Sequence, residues 1–219
     1  MSALARDAAF AARLRAFDSA TVYEANGRVG AMEPGIVPQL AGQRVAGRAR
    51  TVLCSPRDNL ALHHAVAAAE PGDVLVANAL DARIGMWGEV LTIAAQARGV
   101  AGLVIDGAVR DIDAIRALGF PIFSRALAIA GATKDVPGEL DQPIACGGQL
   151  VRRGDWVLAD DSGVAVLPDD RVEAALAAAE ARIDGETRVI EGLRGGQTTV
   201  ELLGLAPLPT TNTTMETPA

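Results

Sequence analysis

The chain has 219 residues, enough for one domain of ordinary size to bury a full core without disulfides or metals as staples. Half of the residues are hydrophobic but only 3% are aromatic, so the core must be built mainly from Ala, Val, Leu and Ile. The formal charge is −7 and Lys134 is the only lysine, a balance that attracts no phosphate backbone and argues against nucleic acid as a partner. An anionic substrate would then need a local cationic or backbone-amide site. The first 17 residues carry charges throughout, unlike a signal peptide, and no uncharged apolar segment approaches the ~18 residues that span a bilayer. We therefore expect a cytoplasmic protein with no membrane association, in which Cys54 and Cys146 are reduced, buried thiols.

In chain order, Leu4, Phe10, Leu14 and Phe17 recur at near-helical spacing and predict a helix over 3–17. Asp18 and Ser19 supply a cap for a short helix over 20–26, which Gly27 stops. Residues 28–42, with three glycines and two prolines, read as loop. The apolar–polar alternation that begins at Arg44 predicts a strand to Leu53. Helix 59–70 and strand 73–77 follow, then helix 88–98, strand 100–105, helix 111–118 and a strand beginning at 121–123. Strands alternating with ten-residue helices indicate α/β units with parallel pairing.

From Gly131 to Pro168 the pattern changes to short strands, at 143–146, 149–151, 156–159 and 164–167, with Asp160-Asp161-Ser162-Gly163 as a hairpin turn. Asp169 caps an alanine-rich helix from Arg171 to about Gly185, and 207–219 reads as a disordered tail behind one domain over 1–206. The expectation is a mixed-sheet α/β fold with helices outside.

No dinucleotide fingerprint, Walker loop or G-x-S-x-G elbow is present. His63 and His64 are adjacent, so they cannot share one helical face as a metal pair, and they read as helix-surface or boundary residues. Nothing near Lys134 marks it as an activated amine. Chemistry must then rest on carboxylates, arginines, backbone amides or a metal.

Two segments supply such groups. Gly88-Glu89-Val90-Leu91 opens a helix, whose unpaired N–H groups and positive dipole end can receive a carboxylate. Arg110-Asp111 stands where a strand gives way to a helix; Arg110 offers a planar donor fork, and Asp111 a hard oxygen ligand for Mg²⁺ or Mn²⁺. Taken singly, each also reads as an ordinary helix start, Arg-Asp as a cap with a surface ion pair. Asp106 is a candidate for orienting Arg110 or capping the strand end, and Glu24 is a helix-surface residue by default.

These segments, with Ser19–Gly30 and Leu158–Val164, resemble the class II pyruvate aldolases that act on 4-hydroxy-4-methyl-2-oxoglutarate and 4-carboxy-4-hydroxy-2-oxoadipate, within the superfamily that also holds the RraA regulators of ribonuclease activity. The resemblance runs from about Ser19 to Leu205. It implies a three-layer β/β/α swivelling-domain fold, trimers or hexamers with sites between subunits, and Mg²⁺ or Mn²⁺ as cofactor. It implies that Arg110 contacts the pyruvate half of a 2-oxo acid and that Asp111 ligates the metal. The amides of Gly88, Glu89, Val90 and Leu91 would receive the substrate carboxylate. Glu24, and by a looser match Glu186, would reach the metal region from a neighbouring subunit, and Glu89 and Glu24 would hold the water that moves the proton. Glu89 departs from the aspartate of the characterised aldolases; it keeps the charge and extends it by one methylene. The resemblance thus implies a lyase that releases pyruvate by retro-aldol cleavage and decarboxylates oxaloacetate on the side. The alternative it leaves open is a ribonuclease regulator without catalysis.

Overall fold

A computed structural model describes residues 3–80 and 83–208. Two compact units divide the chain, Met1–Ala179 and Glu180–Ala219. In the first unit, helices α1 (Ala3–Leu14) and α2 (Ser19–Ala25) precede strands β1 (Val37–Pro38) and β2 (Val45–Leu53). Then come α3 (Leu60–Ala68), β3 (Asp73–Asn78), β4 (Gly85–Trp87), α4 (Glu89–Ala97), β5 (Gly102–Val109), α5 (Ile112–Leu118) and β6 (Ile122–Leu127). The remaining strands are β7 (Glu139–Leu140), β8 (Ile144–Cys146), β9 (Gln149–Val151), β10 (Trp156–Asp160) and β11 (Gly163–Leu167), followed by α6 (Val172–Arg194).

Strands β2, β3, β5 and β6 run parallel, as the alternating pattern requires, with α3, α4 and α5 in the connections. Antiparallel β10 and β11 extend the sheet beyond β2, giving the order β1-β6-β5-β3-β2-β10-β11. The stretch leading into β1 closes most of the remaining gap. Met32 donates to the Val164 carbonyl on β11 at 2.9 Å, while Val37 pairs with Ser124 on β6. The sheet is therefore nearly closed on itself, and the period-2 alternation of each strand sends side chains into two separate cores. Val74, Val76, Val104, Phe123, Val157 and Ala159 fill the interior with Met32 and Ile36. Their neighbours Leu75, Ala77, Leu103, Ile105 and Ile122 face outward under α3, α4 and α5. Phe10 and Leu14 from α1, Val22 from α2 and Phe17 between the two helices cover Trp156 and Leu158 on the β10 side. Both cysteines are buried and free, and burial pushes each thiol up to about 12, as expected for inert core residues.

The mixed α/β architecture with outer helices is the expected one, and the four short strands after Gly131 all form. The differences are local. Inside the expected loop 28–42, Val37–Pro38 adds a two-residue edge strand, too short to show a period. Gly85–Trp87 forms β4, again below the length at which alternation can be read. The last long helix runs past Gly185 to Arg194; this glycine has open space around it, and the cost of ~1 kcal/mol for a helical glycine does not break a helix of 23 residues. In the second unit, α7 (Thr199–Leu202) begins with a capping box between Thr198 and Glu201, a short-range signal that the alanine-rich helix before it overshadows. The expected tail lies, from 209 onward, outside the described residues. No helix among the described residues is long and apolar enough to cross a membrane.

Candidate active site

Twenty residues separate Glu89 from Arg110 in the chain, yet the sheet brings them together. β4 pairs with the end of β5, Gly85 with Ala108 and Trp87 with Val109, and the Arg110 amide donates to the Trp87 carbonyl at 2.8 Å. This sets the start of α4 beside the strand end that carries Arg110-Asp111. It is the carboxyl end of a parallel strand, where α/β sheets place ligands.

Asp111 occupies the left-handed region, with φ 56° and ψ 37°, and its side chain does not cap its own helix α5. Instead its Oδ2 accepts from the Glu89 amide at 3.2 Å, at the start of α4. Aspartate tolerates this backbone better than most residues, and the turn is what aims the carboxylate across the gap. Arg110 Nε lies 3.5 Å from the same Oδ2, both side chains being nearly half exposed. Asp111 thus stands at the N-cap position of α5 and pairs with Arg110, but its side chain reaches the start of α4 instead of capping α5.

Glycines make the slot in which Arg110 lies. A Cβ at Gly85 would come within 3.1 Å of the Arg110 Cβ, one at Gly131 within 2.9 Å of its Nη1, and one at Gly88 within 3.3 Å of its Nε. Gly88 itself precedes α4 with extended backbone and makes no side-chain cap, and the first turn leaves the amides of Val90 and Leu91 without an intrahelical acceptor. Trp87 is fully buried and ties strand to helix: its Nε1 donates to Thr92 Oγ1 at 2.7 Å, and Thr92 Oγ1 donates to the Gly88 carbonyl at 3.0 Å.

Arg110 and Asp111 line a cavity of about 150 Å³ together with Gly88, Val90 and Leu91. Asn59, His63 and Lys134 line it too. Local pattern alone does not place these three here, since His63 reads as a surface residue and Lys134 as an unmarked one. The one available signal was the i, i+4 spacing of Asn59 and His63 on a helix start. Glu89, though at the helix start, is exposed and does not line the cavity.

The remaining candidates have partners of their own. Asp106 does not orient Arg110. Its carboxylate pairs with Arg125 and accepts from the Gly147 amide at 2.9 Å, and the Arg125 hydrogen bond is the main cause of its lowered pKa. Glu24 lies on α2, which packs against β10 and β11, and pairs with Arg28 at 2.9 Å. Glu186 lies in the second unit, paired with Arg182 at 2.9 Å. Asp160 does more than turn the hairpin: it is buried and accepts from the Ser19 amide and hydroxyl, both at 2.7 Å.

Among the described residues no three His, Cys, Asp or Glu side chains converge as a metal cluster. Among the described residues Asp111 is the one carboxylate in the lining of the cavity. That donor set fits an ion of the Mg²⁺ or Mn²⁺ kind, which takes one or two protein carboxylates and fills its other positions with water and substrate oxygens.

The RraA-like family (Aldolase/RraA) matches residues 17–166, and the chain belongs to it. A protein of Halalkalibacterium halodurans, provisionally named a 4-hydroxy-4-methyl-2-oxoglutarate aldolase, is 41% identical over 155 residues, covering 70% of this chain and 74% of that protein. A 4-hydroxy-4-methyl-2-oxoglutarate aldolase of Thermus thermophilus is 32% identical over 127 residues, covering 58% of this chain and 77% of that one. Among solved structures, Streptomyces coelicolor RraAS2, described as an unusual member of the RNase ES inhibitor RraA protein family, superposes with a TM-score of 0.77 at 30% identity, over 84% of this chain and 96% of that one. The fold is thus the RraA-like one.

Proposed function

We propose that the chain is a divalent-metal-dependent lyase that cleaves 4-hydroxy-2-oxo acids, of the 4-hydroxy-4-methyl-2-oxoglutarate or 4-carboxy-4-hydroxy-2-oxoadipate kind, to release pyruvate. Decarboxylation of oxaloacetate accompanies it as a side activity. The observation that carries this reading is the meeting of Arg110, Asp111 and the start of α4 at one cavity. The 2-oxo acid carboxylate rests on the amides of Val90 and Leu91, where the helix dipole favours negative charge. Arg110 donates to the ketone oxygen. As the hydroxyl oxygen on C4 loses its proton, it becomes a carbonyl oxygen, the C3–C4 bond breaks, and that electron pair moves through C2–C3 onto the ketone oxygen. Arg110 faces the charge that develops there, and preorganised stabilisation of this kind is usually the largest catalytic contribution. Asp111 would hold the divalent ion, which when bound supplies Lewis-acid polarisation of the substrate oxygens. Glu89, which stands at the start of α4 outside the cavity lining, would with Glu24 from a second copy hold the water that takes the hydroxyl proton and returns it to C3.

Oligomerisation agrees with this, because Val90, Leu127 and Ile129 leave large apolar side chains exposed near Arg110, Ile129 at 96%. We expect a homotrimer or homohexamer. The S. coelicolor relative favours the second reading, a regulator that contacts a ribonuclease. One assay separates them: pyruvate release from 4-hydroxy-4-methyl-2-oxoglutarate and from oxaloacetate, after EDTA and after added Mg²⁺ or Mn²⁺. Metal-restored release supports the lyase. Its absence, with capture of an RNA-degrading enzyme, supports the regulator.

A further inference from the structure

The cavity has a wall that pyruvate binding and metal binding leave unused. Among the described residues only three buried side-chain polar atoms lack a hydrogen-bond partner, Asn26 Oδ1, Asn59 Oδ1 and His63 Nε2. Two of these three belong to residues that line the Arg110 cavity. Buried polar atoms are normally paired, so two such atoms at one small cavity call for a partner there.

The wall is built rigidly. Asn59 is 7% exposed, and its Nδ2 donates to the Met86 carbonyl at 2.7 Å, which fixes the amide and leaves Oδ1, an acceptor, as the free atom. Its backbone amide donates to the Thr133 carbonyl at 3.0 Å. The preceding residue, Asp58, accepts from the Thr133 hydroxyl and the Asp135 amide, both at 2.6 Å, from Val136 at 3.1 Å and from Leu60 at 2.9 Å. Lys134 sits between two residues that Asp58 holds, so Asn59, His63 and Lys134 are carried on one frame.

Their chemistry is mixed. Asn59 Oδ1 only accepts, and the Lys134 ammonium only donates. Burial first, then Lys134 and His64, lower the pKa of His63 and favour the neutral ring, whose Nε2 either donates or accepts. A carboxylate set here would face the Asn59 oxygen with another acceptor, and an alkyl group would pair with nothing. A hydroxyl satisfies the wall, donating a hydrogen bond to Asn59 Oδ1 in the bound substrate until the water takes that proton, and accepting from Lys134 or His63.

We propose that Asn59, His63 and Lys134 form a hydroxyl-recognising corner that selects 4-hydroxy-2-oxo acids over 2-oxo acids lacking that group. The corner sets retro-aldol cleavage above oxaloacetate decarboxylation, since oxaloacetate carries no such hydroxyl. This rests on the lyase reading and adds the specificity residues to it. A site built around a substrate hydroxyl rejects the analogue without it, because its own polar groups are then left unpaired.

The test is the ratio of kcat/KM for 4-hydroxy-4-methyl-2-oxoglutarate to that for oxaloacetate, in the metal-loaded wild type and in Asn59→Leu and His63→Leu. Each variant is expected to lower that ratio about tenfold or more. His63→Leu leaves the Met86 hydrogen bond intact, so it stands if Asn59→Leu fails to fold. A parallel fall for both substrates leaves the ratio unchanged and overturns the corner, as does no fall for either. A wild type that releases no pyruvate from either substrate overturns the lyase reading, and the corner with it.

Discussion

Gly88 is pressed against Asp111: a Cβ added at Gly88 would collide with Asp111 Oδ2, closer than real Cβ atoms ever come to a neighbour. The two halves of the site therefore touch, and the absence of a side chain at Gly88 decides where the carboxylate can stand. Gly88→Ala is expected to fold, because its φ of −154° is ordinary for alanine, while the new methyl pushes Asp111 aside. A misplacement of ~1 Å at a reacting centre costs about 10²-fold in turnover. Pyruvate release should fall by that order with an unchanged thermal melt; full activity would show that the Asp111 position is unimportant.

Arg110 and Asp111 should fail differently. Either change to alanine is expected to lower pyruvate release about 10²–10³-fold, the usual loss when a partner of developing charge is removed. Arg110→Lys keeps the charge without the planar fork and should recover little of it. Mn²⁺ binding, followed by its electron paramagnetic resonance signal, should survive in Arg110→Ala and weaken in Asp111→Ala. Equal Mn²⁺ binding in both would remove Asp111 from the metal site.

What made part of this legible in the sequence is the length of its patterns. The β2–β3–β5–β6 strands and their helices repeat a period long enough to read, and the Ser19–Gly30, Arg110-Asp111 and Leu158–Val164 segments carry the family resemblance. What stayed hidden depends on contacts across the sheet. β4 has three residues, yet it is the strand that lays Gly88 against Asp111. Asp106 is close to Arg110 in the chain, but Arg125 claims it from β6, a pairing set by strand order rather than by chain proximity. Lys134 and His63 meet at the cavity through hydrogen bonds of Asp58 and Asn59 that tie the 133–136 loop to the start of α3. Seventy residues separate His63 from Lys134, and no local pattern joins them.

Thr92 offers a test of the link between core and site. It is fully buried, accepts from Trp87 Nε1 at 2.7 Å and donates to the Gly88 carbonyl at 3.0 Å. Thr92→Val keeps the shape and strands the indole N–H in a dry core. The expected cost is ~1–3 kcal/mol in urea denaturation at constant m-value. A variant as stable as the wild type would mean that the indole finds another acceptor.

Ile129 tests the assembly. It is 96% exposed and shares a surface hollow with Arg110, Asp111 and Leu127. Ile129→Asp should leave the subunit folded and shift the light-scattering mass toward the monomer, because a lone charge at an apolar contact is strongly disfavoured. Pyruvate release should fall with it if Glu24 acts from a second copy. An unchanged mass would place the subunit contact elsewhere.

Asp58 gives the frame of the hydroxyl corner a pH dependence. Burial opposes its charge, yet hydrogen bonds from Thr133, Asp135, Leu60 and Val136 outweigh that and hold the carboxyl well below the usual range. A carboxyl lowered in the folded state adds stability that is complete above its unfolded pKa, about 3.9, and is lost as pH falls toward the folded value. Asp58→Asn should therefore lower the melting temperature most near neutral pH, and the gap to the wild type should narrow only below ~pH 4. A gap that stays constant down to ~pH 2 would mean that the charge of Asp58 contributes nothing and that its shape alone holds the loop.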